Sequence, residues 1–137
     1  MRYVLDASVA MKSLLKEVDF LAIALREEFK RQVHELIAPD VLPAEMGHAL
    51  TRAERKGIIP KGTAKILFHQ FINPCPELYP YGDLYDRAME IASDFRVGFY
   101  DALYVSLAER EGCELVTADE KLQNSLPGFP IISLSAL

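Results

Sequence analysis

Four carboxylates in this chain are placed where they could act together. Asp6 ends the apolar stretch "YVL", and Asp119 ends "LVTA". Asp101 opens the otherwise apolar run "FYDALYVSLA", and Glu45 lies in the first turn of a predicted helix. Each has a local reading of its own. Aspartate is a preferred N-cap residue, and the helix dipole favours an acid in a first turn. Asp6 is explained less completely that way, because Ser8 is better placed to cap a helix beginning at Val9. A charge inside the Asp101 run is costly to bury unless it is paired or coordinates a metal.

As a set, the four acids point to one chemistry. Carboxylates gathered near one point cannot all stay ionised without a cation. Ligands that are all oxygen select hard cations such as Mg²⁺ or Mn²⁺. Such an ion activates water and stabilises in-line displacement at a phosphodiester. No G-x-S-x-G elbow, Walker-type glycine loop or Cys/His pair competes for the role. Glu45, His48 and Arg52 share one helix face at i, i+3 and i+7. A Glu-x-x-His pair also occurs in di-iron bundles, but there the motif is needed twice and here it occurs once. His48 therefore reads as a surface or supporting histidine, and His34 and His69 stand alone.

The elements that must position these acids follow from apolar spacing. Residues 2–6 read as a strand, followed by a helix after Ser8. Val18, Leu21, Ala22, Leu25 and Phe29 form one buried helical face. A second strand lies near Leu36–Ala38, and Asp40 is the N-cap expected for the helix carrying Met46, Ala49, Leu50 and Ala53. That helix stops near Gly57, and Ala64, Leu67, Phe68 and Phe71 repeat the spacing. A brief strand is expected at Glu77–Tyr79. Asp83 is the expected cap of a helix whose inner face is Leu84, Ala88, Ile91, Ala92 and Phe95. The run from Val97 to Gly112 is apolar almost all round until Glu109, as in a buried helix. "CELVTAD" and "FPIISL" supply the last strands, with a short helix between them.

Strands separated by helices imply a parallel sheet covered on both faces. Ligands of such sheets bind outside the carboxyl ends of the strands. Asp6 and Asp119 are expected at that edge.

The whole chain sets the remaining bounds. Its 137 residues are read as one domain, 1–137, long enough to bury a core. The net charge of −5 argues against a broad basic nucleic-acid surface but not against an enzyme whose bound cation meets the phosphate. No run approaches a membrane span, and the start lacks the pattern of a secretory signal, so a cytoplasmic protein is expected. Cys75 and Cys113 form neither a disulfide framework nor a C-x-x-C zinc motif.

The blocks "YVLDASVAMK", "PAEMGHAL", "FYDALYVSLAE" and "LVTADEKL" resemble the four acidic blocks of the PIN-domain family. More closely, they resemble the VapC-type ribonuclease toxins of toxin–antitoxin pairs. The likeness runs from Arg2 to Ser133, with the blocks in the family's order. It implies a three-layer α/β/α sandwich with a five-stranded parallel sheet in the order 3-2-1-4-5. It implies that Asp6, Glu45, Asp101 and Asp119 bind Mg²⁺ or Mn²⁺ and orient water against an RNA phosphodiester. Ser8 and Thr117 match small hydroxyl positions that border the site and hydrogen-bond its acids. The position of His48 is often asparagine in these toxins, and a histidine there changes charge near neutral pH.

The expected protein is thus a metal-dependent endoribonuclease silenced by a cognate antitoxin. Lys12 and Arg52 are candidates to receive the RNA backbone. By the same likeness a homodimer or higher oligomer is expected, built from the helices of residues 40–72. An antitoxin would lay an apolar segment between those helices. The alternative is a PIN fold kept for binding and assembly without turnover, against which the full set of acids argues. A haloacid-dehalogenase-type phosphatase would need an aspartate where Ser8 stands, and a phosphoacceptor domain would need paired acids near the first strand.

Overall fold

The computed structural model describes residues 1–15, 23–25, 27, 29 and 34–137. Five strands form one sheet: β1 (Arg2–Leu5), β2 (Glu35–Pro39), β3 (Glu77–Tyr79), β4 (Glu114–Thr117) and β5 (Ile131–Ser133). The order is β3-β2-β1-β4-β5 and every pairing is parallel. The labelled helices are α1 (Ala7–Leu14), α2 (Leu42–Arg55), α3 (Thr63–Phe71), α4 (Tyr85–Phe95), α5 (Phe99–Glu111) and α6 (Glu120–Ser125). Two 3₁₀ turns, Tyr81–Leu84 and Leu134–Ala136, complete the set.

Chain direction explains the layers. From β1 the chain moves through β2 to β3; after β3 it returns past β1 to β4 and on to β5. Right-handed crossovers then place the two sets of helices on opposite faces. In agreement, α1 packs on α2 and α3, and α4 packs on α5. The central strands are covered on both sides, so their residues are apolar without alternation. Val4 pairs with Ile37 on one side and Leu115 on the other, and all three are fully buried. Helix α5 lies over β1, β2 and β4. Its continuous buried stretch from Ala102 to Ala108 follows from that central position. Cys75 and Cys113 are half-buried and form no disulfide.

Three local expectations are corrected. Asp40 does not cap α2; the cap position is Val41, and the Asp40 carboxylate accepts the Tyr81 N–H at 3.1 Å. Asp40 lies too far ahead of the first helical turn, and instead ties the end of β2 to the chain leaving β3. Asp83 does not cap α4 either, because an intervening 3₁₀ turn moves the helix start to Tyr85. Phe95, expected on the inner face, is 42% exposed and meets Phe129 edge-on at 5.1 Å. It occupies the last position of α4, beyond the reach of the sheet. In the predicted helix before β2, Leu25 is buried and Phe29 packs on the core. Val18, Leu21 and Ala22 lie outside the described residues.

Candidate active site

Strand order reverses around β1 and β4: the chain leaving β1 turns toward β2, and the chain leaving β4 turns toward β5. The carboxyl ends of those two neighbours therefore open a crevice, the place where α/β sheets bind ligands. Asp6 follows the last residue of β1, and Asp119 follows β4 by two residues.

Asp6 is 7% exposed and held from three directions. Its Oδ1 accepts the Ser8 hydroxyl at 2.6 Å and the Val9 N–H at 3.1 Å. Its Oδ2 accepts the Thr117 hydroxyl at 2.5 Å. Asp6 is thus itself the N-cap of α1, which begins at Ala7 rather than at Val9. Ser8 does not cap; it sits inside the first turn and supports the carboxylate that does. Both hydroxyls are fixed in turn by β4: Ser8 Oγ accepts the Ala118 N–H at 3.2 Å, and Thr117 Oγ1 accepts the Asp119 N–H at 3.0 Å. Two backbone donors and two hydroxyls therefore lock the β1 carboxylate to the end of β4.

The other acids surround this anchor. Asp119 caps α6, its Oδ1 accepting the Lys121 and Leu122 N–H groups at 3.0 and 3.2 Å. Capping and a place at the crevice are compatible, because both cap bonds fall on Oδ1. Asp101 occupies the first turn of α5, on an exposed segment after Gly98. Half-buried Glu45 comes from the first turn of α2, and its Oε1 accepts the Tyr104 hydroxyl at 2.9 Å.

Electrostatics ties the four together. Burial pushes the Asp6 carboxyl above its ordinary range, against the pull of the Ser8, Thr117 and Val9 hydrogen bonds, and Asp119 adds to the rise. Glu45 is raised by burial and by Asp101 and Asp6, partly offset by Tyr104. Asp101 is raised by burial, then by Asp6 and Asp119. Asp6, Glu45 and Asp101 each feel another of the set, as expected where negative charges lie close together. The donors around it are oxygen; His48 is exposed, and its backbone carbonyl accepts from the Thr51 hydroxyl. That donor set suits a hard divalent cation. Among the described residues, no three His, Cys, Asp or Glu side chains close in tightly enough to hold a metal directly. Mg²⁺ keeps several waters when bound, so carboxylates spread around a crevice can hold it partly through water.

Lys12 and Arg52 lie further from the crevice. Both are exposed, in the last turns of α1 and α2. Each is about 9–10 Å of helix beyond its acid, at 1.5 Å per residue. Tyr104 was absent from the sequence-derived set. Its signal was present: it is one helical turn after Asp101 and is the one phenol in an aliphatic stretch.

A PIN domain family model matches residues 3–125. Ribonuclease VapC1 of Mycobacterium tuberculosis is 34% identical over 129 residues, spanning 93% of this chain and 92% of the relative. Ribonuclease VapC3 of Pyrobaculum aerophilum is 27% identical over 72% of this chain and 76% of its own. Among solved structures, VapBC2 from Rickettsia felis bound to a promoter DNA fragment superposes with a TM-score of 0.72 at 17% identity, covering 97% and 98% of the two chains. VapBC-1 of nontypeable Haemophilus influenzae superposes at 0.67 with 14% identity, covering 98% and 99%. These two structures speak to the fold.

Proposed function

The chain belongs to the PIN-domain family, and on that premise we propose that it is a VapC-type endoribonuclease dependent on Mg²⁺ or Mn²⁺, the toxin of a toxin–antitoxin pair. What supports this reading is that Asp6 and Asp119 follow adjacent parallel strands at their carboxyl ends, that Asp6 lies within electrostatic range of Glu45, Asp101 and Asp119, and that two hydroxyls lock Asp6 in place. One PIN-like domain, residues 1–137, carries the whole set.

In this reading Asp6, Asp101 and Asp119 would hold the cation, in part through water, and Glu45 would reach it directly or through water. When bound, the cation would lower the pKa of its water and neutralise charge on the phosphodiester. Ser8 and Thr117 keep Asp6 oriented. Glu45, already raised above the ordinary carboxylate range, is the acid best suited to take the proton of the attacking water. Lys12 and Arg52 receive flanking phosphates of single-stranded RNA, for which their distance from the acids is suitable. The partner is an antitoxin whose apolar segment lies among the helices of residues 40–72, and the toxin assembles as a homodimer or higher oligomer. No helix of the described residues is long and apolar enough to cross a membrane. RNA substrate and antitoxin together favour the cytoplasm.

The test is cleavage of defined single-stranded RNAs with Mg²⁺ or Mn²⁺, wild type beside Asp101→Asn. Asp101→Asn is expected to stay folded and to lose at least a hundred-fold in rate, the scale of removing one well-placed charge from such a site. Cleavage that persists in the variant, or in excess chelator, overturns the proposal.

A further inference from the structure

Tyr104 is a tyrosine in the buried core of α5, 2% exposed, flanked by Leu103 and Val105, which are fully buried. Core positions of this kind are normally aliphatic, because a buried phenol must find a hydrogen-bond partner. The partner here is Glu45, 59 residues away, at 2.9 Å. The bond joins α2 to α5, which belong to opposite layers of the sandwich, across the open edge of the sheet. Tyr104 and Asp101 are i and i+3 on α5 and therefore share a face. Besides Glu45, the Tyr104 hydroxyl also lies within electrostatic range of Asp6 and Asp101. The phenol thus faces three of the four acids.

Its length and rigidity keep a phenol from bonding back to its own helix, as the short Ser106 hydroxyl does to the Ala102 carbonyl, so its partner must come from another element. Tyr104 donates to the acid of the set with the longest side chain. Asp6 and Asp119 are pinned by backbone N–H groups as helix caps. Glu45 has one more rotatable bond than an aspartate, and its carboxylate accepts from Tyr104. A hydroxyl on Oε1 restricts the rotation of the carboxylate and leaves Oε2 outside that bond.

We propose that Tyr104 is the positioning residue of the site: its hydroxyl orients Glu45 toward the other acids and so sets how well Glu45 serves cation and water. This rests on the nuclease reading above. Tyr104 is a positioning residue rather than a catalytic one, because its role runs through Glu45.

The experiment is a double-mutant cycle of Tyr104→Phe and Glu45→Ala, read by single-turnover RNA cleavage and by Mn²⁺ binding in calorimetry. Tyr104→Phe keeps the ring and removes one hydrogen bond to a charged acceptor, so the expected loss is about ten-fold in cleavage rate, with KM for RNA unchanged. Mn²⁺ binding is expected to weaken a few-fold. In the Glu45→Ala background, Tyr104→Phe is expected to change neither quantity further. Equal Tyr104→Phe losses in both backgrounds, or a Tyr104→Phe protein that matches wild type in rate and in Mn²⁺ binding, overturn the proposal. Should wild type bind Mn²⁺ without cleaving RNA, the nuclease reading fails while the binding arm still decides the role of Tyr104. Circular dichroism and melting of each variant identify any loss due to unfolding; if Tyr104→Phe does not fold, Glu45→Asp withdraws the carboxylate from the phenol instead. That variant is expected to show the same loss, and wild-type behaviour in it overturns the assignment.

Discussion

Replacing Thr117 by valine tests the β1–β4 lock at nearly constant shape. The residue is 1% exposed, and its hydroxyl makes two bonds: to Asp6 Oδ2 at 2.5 Å, and from the Asp119 N–H at 3.0 Å. A hydrogen bond to a charged acceptor contributes about 1.5–3 kcal/mol, and a neutral one about 1 kcal/mol. Asp119 lies on an exposed segment, so water recovers part of the second bond and its net loss is roughly 0.5 kcal/mol. The methyl group that replaces the hydroxyl returns about 0.8 kcal/mol by burial. The balance is a destabilisation of about 2 kcal/mol, or roughly 6–8 °C in Tm for a domain of this size. The assay is calorimetry in excess chelator at pH 7 and again at pH 4.5. Asp6 is raised above the ordinary carboxylate range, so acid protonates it and turns the charge-assisted bond into a neutral one, and the penalty is expected to be smaller at the lower pH. Ser8→Ala, which removes the 2.6 Å bond to Oδ1, is expected to behave in parallel. A Thr117→Val protein melting within 2 °C of wild type at pH 7, or losing the same amount at both pH values, would refute this account of the lock.

Three further outcomes are expected. Burial and mutual repulsion raise Asp6 and Glu45, so the folded chain retains protons that the unfolded chain has released. Their contribution to stability is then complete below about pH 4, the unfolded carboxylate range, and is lost as pH rises through the higher folded values. In chelator, Asp6→Asn should therefore gain on wild type in Tm as pH goes from 4 to 8, and a gap moving the other way would contradict the sign. Mn²⁺ at a hundred-fold excess over its dissociation constant should stabilise wild type by about 2.7 kcal/mol and leave Asp6→Asn little changed, as thermal shift can show. Arg52→Ala is expected to raise KM for RNA a few-fold with kcat unchanged, and to flatten the salt dependence by about one phosphate contact; an effect on kcat alone would remove Arg52 from the RNA path.

Much of the architecture was legible because the pattern is strong. Strands buried on both faces are short apolar runs, helices show their 3.6 period, and a parallel order follows once the two alternate. β3 lies at Glu77–Tyr79 as expected, and the all-round apolar character of α5 marks it as a buried helix, which it is from Ala102 to Ala108. Helix starts were read less well. Asp40, Asp83 and Ser8 were each assigned as caps, and the structure gives those positions to Val41, Leu84 and Asp6. A cap depends on backbone dihedrals over one turn, and the acid-versus-neighbour choice is decided by a few degrees that composition does not encode.

What the sequence by itself determined is the identity of the acids and the edge on which two of them emerge. Asp6 and Asp119 follow strand ends, and parallel strands send all such ends to one side. Only the tertiary structure decided how the acids are held. The Thr117 hydroxyl reaches Asp6 across 111 residues of chain, and the Tyr104 hydroxyl reaches Glu45 across 59. Such bonds depend on the register of β1 against β4 and on the approach of α2 to α5. Neither is a property of any local stretch, because hydrogen bonds need ångström-level placement that only the packed layers supply.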